Sequence, residues 1–101
     1  MSIRLIDTEA SVSGTSLQGY IKTNYNDLVE VFGEPRYTSS GDDKVTAEWN
    51  LEFLVDDEYV TATIYDWKLG HTPYRTYDWH IGGFSTQAAD AVSQFMKEAN
   101  A

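Results

Sequence analysis

The tripeptide Tyr-Asp-Trp occurs twice, at Tyr65-Asp66-Trp67 and at Tyr77-Asp78-Trp79, and the second copy runs straight into His80-Ile81-Gly82-Gly83-Phe84-Ser85. With Tyr59, Tyr74 and Phe84, these copies put half of the chain's aromatic residues between positions 59 and 84. Large rings beside short polar groups suit stacking on a flat ligand or burial against a partner surface. Tyr65, Trp67 and Trp79 are the candidate stacking rings. Gly82 and Gly83 read as a tight turn. Ser85 then opens a helix whose free N–H groups and positive dipole end would seat a phosphate or carboxylate. Lys68, Arg75 and His80 would add charge to that seat.

Structural readings account for the same residues. Alternating aromatics on a strand form cross-strand pairs, and Tyr and Trp are also enriched at subunit interfaces. A strand-to-helix turn needs glycine whether or not a ligand is present. Packing, oligomer interface and ligand stacking therefore all remain open for the aromatic strip.

Other chemistries are poorly represented. His71 and His80 lack the helical spacing of a metal pair, and the chain has no cysteine, which excludes disulfides and thiolate zinc sites. Asp66 and Asp78 would raise one another's pKa if they faced each other on adjacent strands, or would bond to neighbouring rings and backbone. No P-loop, nucleophile elbow or serine–histidine constellation is present. The residues point to a binding protein rather than an enzyme, with no cofactor and no metal.

The formal charge is −9, unevenly placed. Asp42, Asp43, Glu48, Glu52, Asp56, Asp57 and Glu58 are opposed only by Lys44, whereas from 59 to 84 Asp66 and Asp78 are balanced by Lys68 and Arg75. Direct nucleic-acid binding needs a basic stripe, which is missing. The acidic block reads as a solvated hairpin, or as a mimic of nucleic-acid phosphates that docks on a basic host protein. No stretch reaches the ~20 apolar residues of a membrane span. The first residues have no apolar signal core, and a cytoplasmic protein is expected.

The elements that must position these residues follow from periodicity. At 101 residues the chain is expected to be a single domain, 1–101. Ile3-Leu5-Ile6 suggests an edge strand, Ser11 to Ser16 a loop, and Leu17 to Ile21 a short strand. Tyr25, Leu28, Val29 and Phe32 share one helical face, with Asn24 as cap, Gly33 as stop and Pro35 beyond, predicting a helix near 24–32. Lys44 to Phe53 and Tyr59 to Trp67 alternate as a hairpin around Asp56-Asp57-Glu58. Residues 68–73 read as loop and Tyr77 to Ile81 as a strand. A C-terminal helix near 86–98 presents Ala88, Val92, Phe95 and Met96 on one face. The predicted class is α+β: an antiparallel sheet with two helices on one face.

Several segments resemble small proteins carried by bacteriophages: Thr15-Ser16-Leu17-Gln18-Gly19-Tyr20, the run Tyr25 to Pro35, Ala47-Glu48-Trp49, Ile64-Tyr65-Asp66-Trp67-Lys68 and Asp78 to Gly83. Within that group the chain resembles the Thoeris anti-defence sponge of the first type. The resemblance implies a small homo-oligomeric α+β protein that sequesters a cyclic ADP-ribose signal in the host cell, without catalysis. No binding residue of that family is carried over. A helix followed by Gly-x-Pro and a sheet is also similar to inhibitor domains of the β-lactamase-inhibitor type, which act through a sheet face. An acidic protein inhibitor and a structural phage component are the alternatives.

Overall fold

A computed structural model describes residues 2–37, 45–67 and 72–99 of the chain. The elements run β1 (Ile3–Asp7), β2 (Ser16–Thr23), α1 (Tyr25–Phe32), β3 (Arg36–Tyr37), β4 (Ala47–Val55), β5 (Glu58–Tyr65), β6 (Tyr77–Gly83) and α2 (Gln87–Ala99). The sheet is antiparallel in the order β1-β4-β5-β6-β2, and short β3 also pairs with β4. With its two helices this is an α+β fold.

The period-2 pattern of β4 and β5 determines which face is buried. Trp49, Leu51 and Phe53 face inward from β4, Val60, Ala62 and Ile64 from β5, and Trp79 and Ile81 from β6. Both helices cover this same face. Tyr25, Leu28 and Phe32 of α1 are buried there, as are Ala88, Ala91, Val92 and Met96 of α2. The helices are joined by rings: Phe32 stacks on Phe95 at 5.7 Å, and both meet Phe53 edge-on or tilted at 6.2 and 5.4 Å.

Local signals explain where the elements start and stop. Asn24 Oδ1 accepts from the Asp27 amide at 2.8 Å, satisfying one of the free donors at the start of α1. Gly33 ends α1 at φ +87°, its N–H donating to Val29 O. The β4–β5 loop is two residues, Asp56 and Asp57, both at positive φ, the geometry that matches strand twist in a tight hairpin. Glu58 is therefore the first residue of β5, not part of the turn. Asp56 also ties down the chain's start, accepting from Ser2 N at 2.8 Å.

Two boundaries differ from expectation. Strand β6 continues through Gly82 and Gly83, and the expected Gly-Gly turn lies two residues later. Strand β3 follows directly on Pro35, and at two residues it is too short to leave a period in the sequence. No helix among the described residues is long and apolar enough to cross a membrane.

Candidate functional site

The face of the sheet opposite the helices carries the open chemistry. Its centre is a row of directly paired residues from four strands: Tyr20 of β2, His80 of β6, Tyr65 of β5 and Glu48 of β4, extended by Arg36 of β3. The register brings these side chains together because facing residues on neighbouring strands share one side of the pleat. The His80 ring lies 5.0 Å from Tyr20 edge-on and 5.4 Å from Tyr65, nearly parallel at 29°. Trp67 and Tyr77 complete the surround at 6.5 and 6.3 Å. Trp67 N donates to Tyr77 Oη at 3.3 Å, and that hydroxyl lies 3.5 Å from His80 Nδ1. Tyr20 remains 56% exposed and Trp67 39%. Part of the same face is closed: Asn50 and Thr63 are buried, beside the 8–15 connection, in which Ala10 N donates to Asn50 O.

This setting keeps the cluster neutral. Partial burial lowers the His80 pKa, and the negative charge of Asp66 pulls more weakly the other way. Burial raises the Tyr65 pKa, with Tyr20 adding to it. The Tyr77 pKa is also raised by burial, against the lowering effect of its hydrogen bond from Trp67 N; Asp66, Asp78 and Tyr20 add to the rise. A neutral imidazole among neutral phenols presents flat, weakly polar surface rather than charge.

The two Tyr-Asp-Trp copies are out of phase, which corrects the expected site. Trp79 falls on the inward side of β6 and is fully buried. Its ring meets Trp49 at 5.4 Å and Tyr77 at 5.3 Å, and its Nε1 donates to Thr23 O at 3.2 Å. It is a core residue and offers no stacking surface. Trp67 lies just beyond the end of β5, keeps the outward phase of Tyr65, and is exposed. The aspartates are likewise separated. Asp66 is fully buried and accepts from Thr46 N, Thr46 Oγ1 and Ala47 N at 2.8, 2.6 and 3.0 Å. Asp78 is exposed and pairs in register with Lys22. They do not form a carboxylate dyad.

The expected anion seat also changes. Gly82 and Gly83 sit mid-sheet, paired on both sides with β2 and β5. A Cβ on Gly82 would come within 2.8 Å of Thr63 Cγ2, and one on Gly83 within 2.3 Å of Ala88 Cβ. These glycines are there for close packing, with their backbone in the ladder rather than presented to a ligand. Ser85 does cap α2: its Oγ accepts from Gln87 N at 3.3 Å. That donor is thus already used, and Glu58 accepts from Gln87 Nε2 at 3.4 Å, placing a carboxylate beside the helix start. An anion is disfavoured there. Arg75 is exposed in the segment before β6. Lys68 and His71 lie outside the described residues, as do Asp42, Asp43 and Lys44 of the acidic block.

The sequence reading missed Tyr20, Tyr77 and Lys22. Tyr20 was legible as an exposed strand position, but only the β2–β6 register shows that it faces His80. Among the described residues no group of three histidine or acidic side chains converges to hold a metal. Comparison of the chain with protein-family models, with curated proteins and with solved structures gives no match. The fold and site define an α+β protein whose helix-free sheet face is partly exposed and aromatic.

Proposed function

We propose that this is a non-enzymatic binding protein of bacteriophage counter-defence that sequesters a nucleotide-derived, cyclic ADP-ribose-type immune signal in the host cytoplasm, acting as a homo-oligomer. One observation carries the reading: the row Tyr20–His80–Tyr65, with Trp67 beside it, forms neutral aromatic surface on the face the helices leave open. A nucleobase stacks on such a surface with about 1–3 kcal/mol per base–ring contact. Lys22 next along β2 and Arg75 in the loop supply positive charge for phosphates, taking over the role first expected of the α2 N-terminus. Exposed Tyr59, at 71%, and Leu17, at 47%, give the same molecule apolar surface for subunit contact. The alternative, docking of the acidic hairpin on a basic host protein, draws less support. Asp56 and Glu58 already serve the fold, through Ser2 and Gln87.

Fluorescence provides the test, because Trp49 and Trp79 are buried and Trp67 is the exposed indole. Titration with cyclic ADP-ribose isomers is expected to quench Trp67, and Trp67→Phe to abolish the change. Tyr65→Ala is expected to weaken binding by about 1–3 kcal/mol, roughly 5- to 150-fold. Full-affinity binding in a folded Tyr20→Ala/Tyr65→Ala variant would exclude this face.

A further inference from the structure

On one side the sheet ends in an open strand. No described strand lies beyond β2, which pairs with β6 alone, and none of its eight residues is fully buried. An edge strand turns the N–H and C=O groups of alternate residues away from the sheet, ready to pair with another strand. Among the described residues the one further bond to the β2 backbone comes from Trp79 Nε1, which donates to Thr23 O at 3.2 Å.

The opposite edge is guarded. Strand β1 has five residues, carries Arg4 and Asp7, and breaks register between Leu5 and Asp7. Short, charged and bulged strands are how proteins keep their edges from associating. Strand β2 has no proline and one charge, Lys22. Its register breaks only between Leu17 and Gly19, which leaves Gly19 to Thr23 paired with β6 without interruption.

The charge and pattern of this stretch select a second copy of the chain as its partner. At −9, two copies repel over most of their surface. Between Glu9 and Asp27, however, Lys22 is the only charged residue, and Asp78 opposite it on β6 balances it. A two-fold axis perpendicular to the sheet sets β2 antiparallel to its own copy and keeps both helix-free faces on one side. Facing residues must share a side of the pleat, and the uninterrupted stretch fits itself when Ile21 faces the partner's Ile21. Gly19 then faces the partner's Thr23, and Tyr20 faces the partner's Lys22. Ile21 is half-buried at the margin of the core and gains apolar cover from its copy. Tyr20 gains an ammonium beside its ring, a favourable contact, and no like charges stand directly opposite.

We propose that β2 pairs with β2 of a second copy, forming a two-fold dimer with one continuous sheet. The row Tyr65–His80–Tyr20 then runs on to the partner's Lys22, so the second copy places a cation at the end of the rings. The pairing itself needs no ligand. What it adds to the site rests on the nucleotide reading: the partner's Lys22 meets the phosphates of a base stacked on the row. Five paired residues a side fall short of the roughly 20–30 of a standard interface, so the dimer forms reversibly and its population rises with concentration.

Sedimentation equilibrium of the full chain without ligand tests it. A reversible monomer–dimer equilibrium at sub-millimolar concentration is expected. Tyr20→Lys sets two ammonium pairs directly opposite one another and should weaken the dimer about ten-fold or more. Adding Lys22→Glu turns each clash into an opposite-charge pair and should return dimerisation to within about three-fold of the wild type. Both positions are exposed, and circular dichroism checks that the variants fold. A wild type that stays monomeric would overturn the proposal. So would a dimer that Tyr20→Lys leaves undiminished, or a double variant as weak as the single one. A dimer with these responses that takes up no cyclic nucleotide supports the pairing and counts against the nucleotide reading alone. Nucleotide held by a chain that stays monomeric does the reverse.

Discussion

Replacing Gly83 by alanine separates a packing role from a ligand-cradling role for the Gly-Gly pair. The added Cβ would stand 2.3 Å from Ala88 Cβ and 3.1 Å from Thr61 O. Carbon atoms of packed side chains approach to about 4 Å, so relief requires α2 to shift by more than about 1 Å. Ala88 is 1% exposed, and α2 packs against β2, β5 and β6 together, so the helix cannot tilt away at one contact alone. On the β5 side the close neighbour is a backbone carbonyl, which is fixed by the ladder. Overpacking of this kind costs about 1–3 kcal/mol, and this case belongs at the upper end. For a domain of this size each kcal/mol lowers Tm by roughly 4–8 °C, giving a loss of about 10 °C or more. The assay is thermal unfolding followed by circular dichroism. The partner variant Ala88→Gly in the same background removes the closest atom and should recover part of the loss, despite a helix-interior glycine costing about 1 kcal/mol. A Gly83→Ala protein that melts within 2 °C of the wild type (roughly 0.5 kcal/mol or less) would refute the packing argument. A double variant showing no recovery would locate the strain elsewhere.

Asp66→Ala should destabilise the fold by about 2–4 kcal/mol, because it strands the Thr46 and Ala47 amides and leaves the Thr46 hydroxyl only Thr72 Oγ1 as a partner; urea unfolding with an unchanged m-value would measure it. Stability should also respond to His80. Its pKa is lowered on folding, so its contribution is fully present above the unfolded value of about 6.5 and is lost as pH falls through the folded value; a His80→Phe variant should flatten this part of the pH profile. Tyr65 and Tyr77 act with the opposite sign. Their pKa values are raised, so their contribution is present below the unfolded value of about 10 and lost as pH rises through the folded values, which the absorbance of tyrosinate follows directly.

Periodicity made most of the fold legible, and register decided most of the site. The i, i+3, i+4, i+7 spacing from Tyr25 to Phe32 and the Asn24 cap define α1 without reference to anything distant. The alternation from Trp49 to Phe53 and from Val60 to Ile64 marks the buried face correctly. Trp79 shows the limit. Its neighbours resemble those of Trp67, yet one indole lies in the core and the other is exposed, because Trp67 shares the outward phase of Tyr65 whereas Trp79 shares the inward phase of Ile81. A local tripeptide carries no information about which phase of the pleat it takes. Gly82-Gly83 illustrates the same point. The sequence pattern of a turn also fits a crowded strand, and only the position of Ala88 distinguishes them. Tyr20 and Arg36 join the row on the helix-free face through pairings with β6 and β4, across sequence separations that no short-range pattern records.

Native mass spectrometry tests the central claim most directly. The purified protein is sprayed alone and with cyclic nucleotides and cyclic ADP-ribose isomers, alongside a Tyr20→Ala/Tyr65→Ala variant shown to be folded. The account predicts an oligomer of the wild type carrying one of these ligands, and the same oligomer without it in the variant. A wild-type protein that takes up none of them, or a variant that retains the ligand in full, would contradict the assignment of the aromatic face as a nucleotide-binding surface.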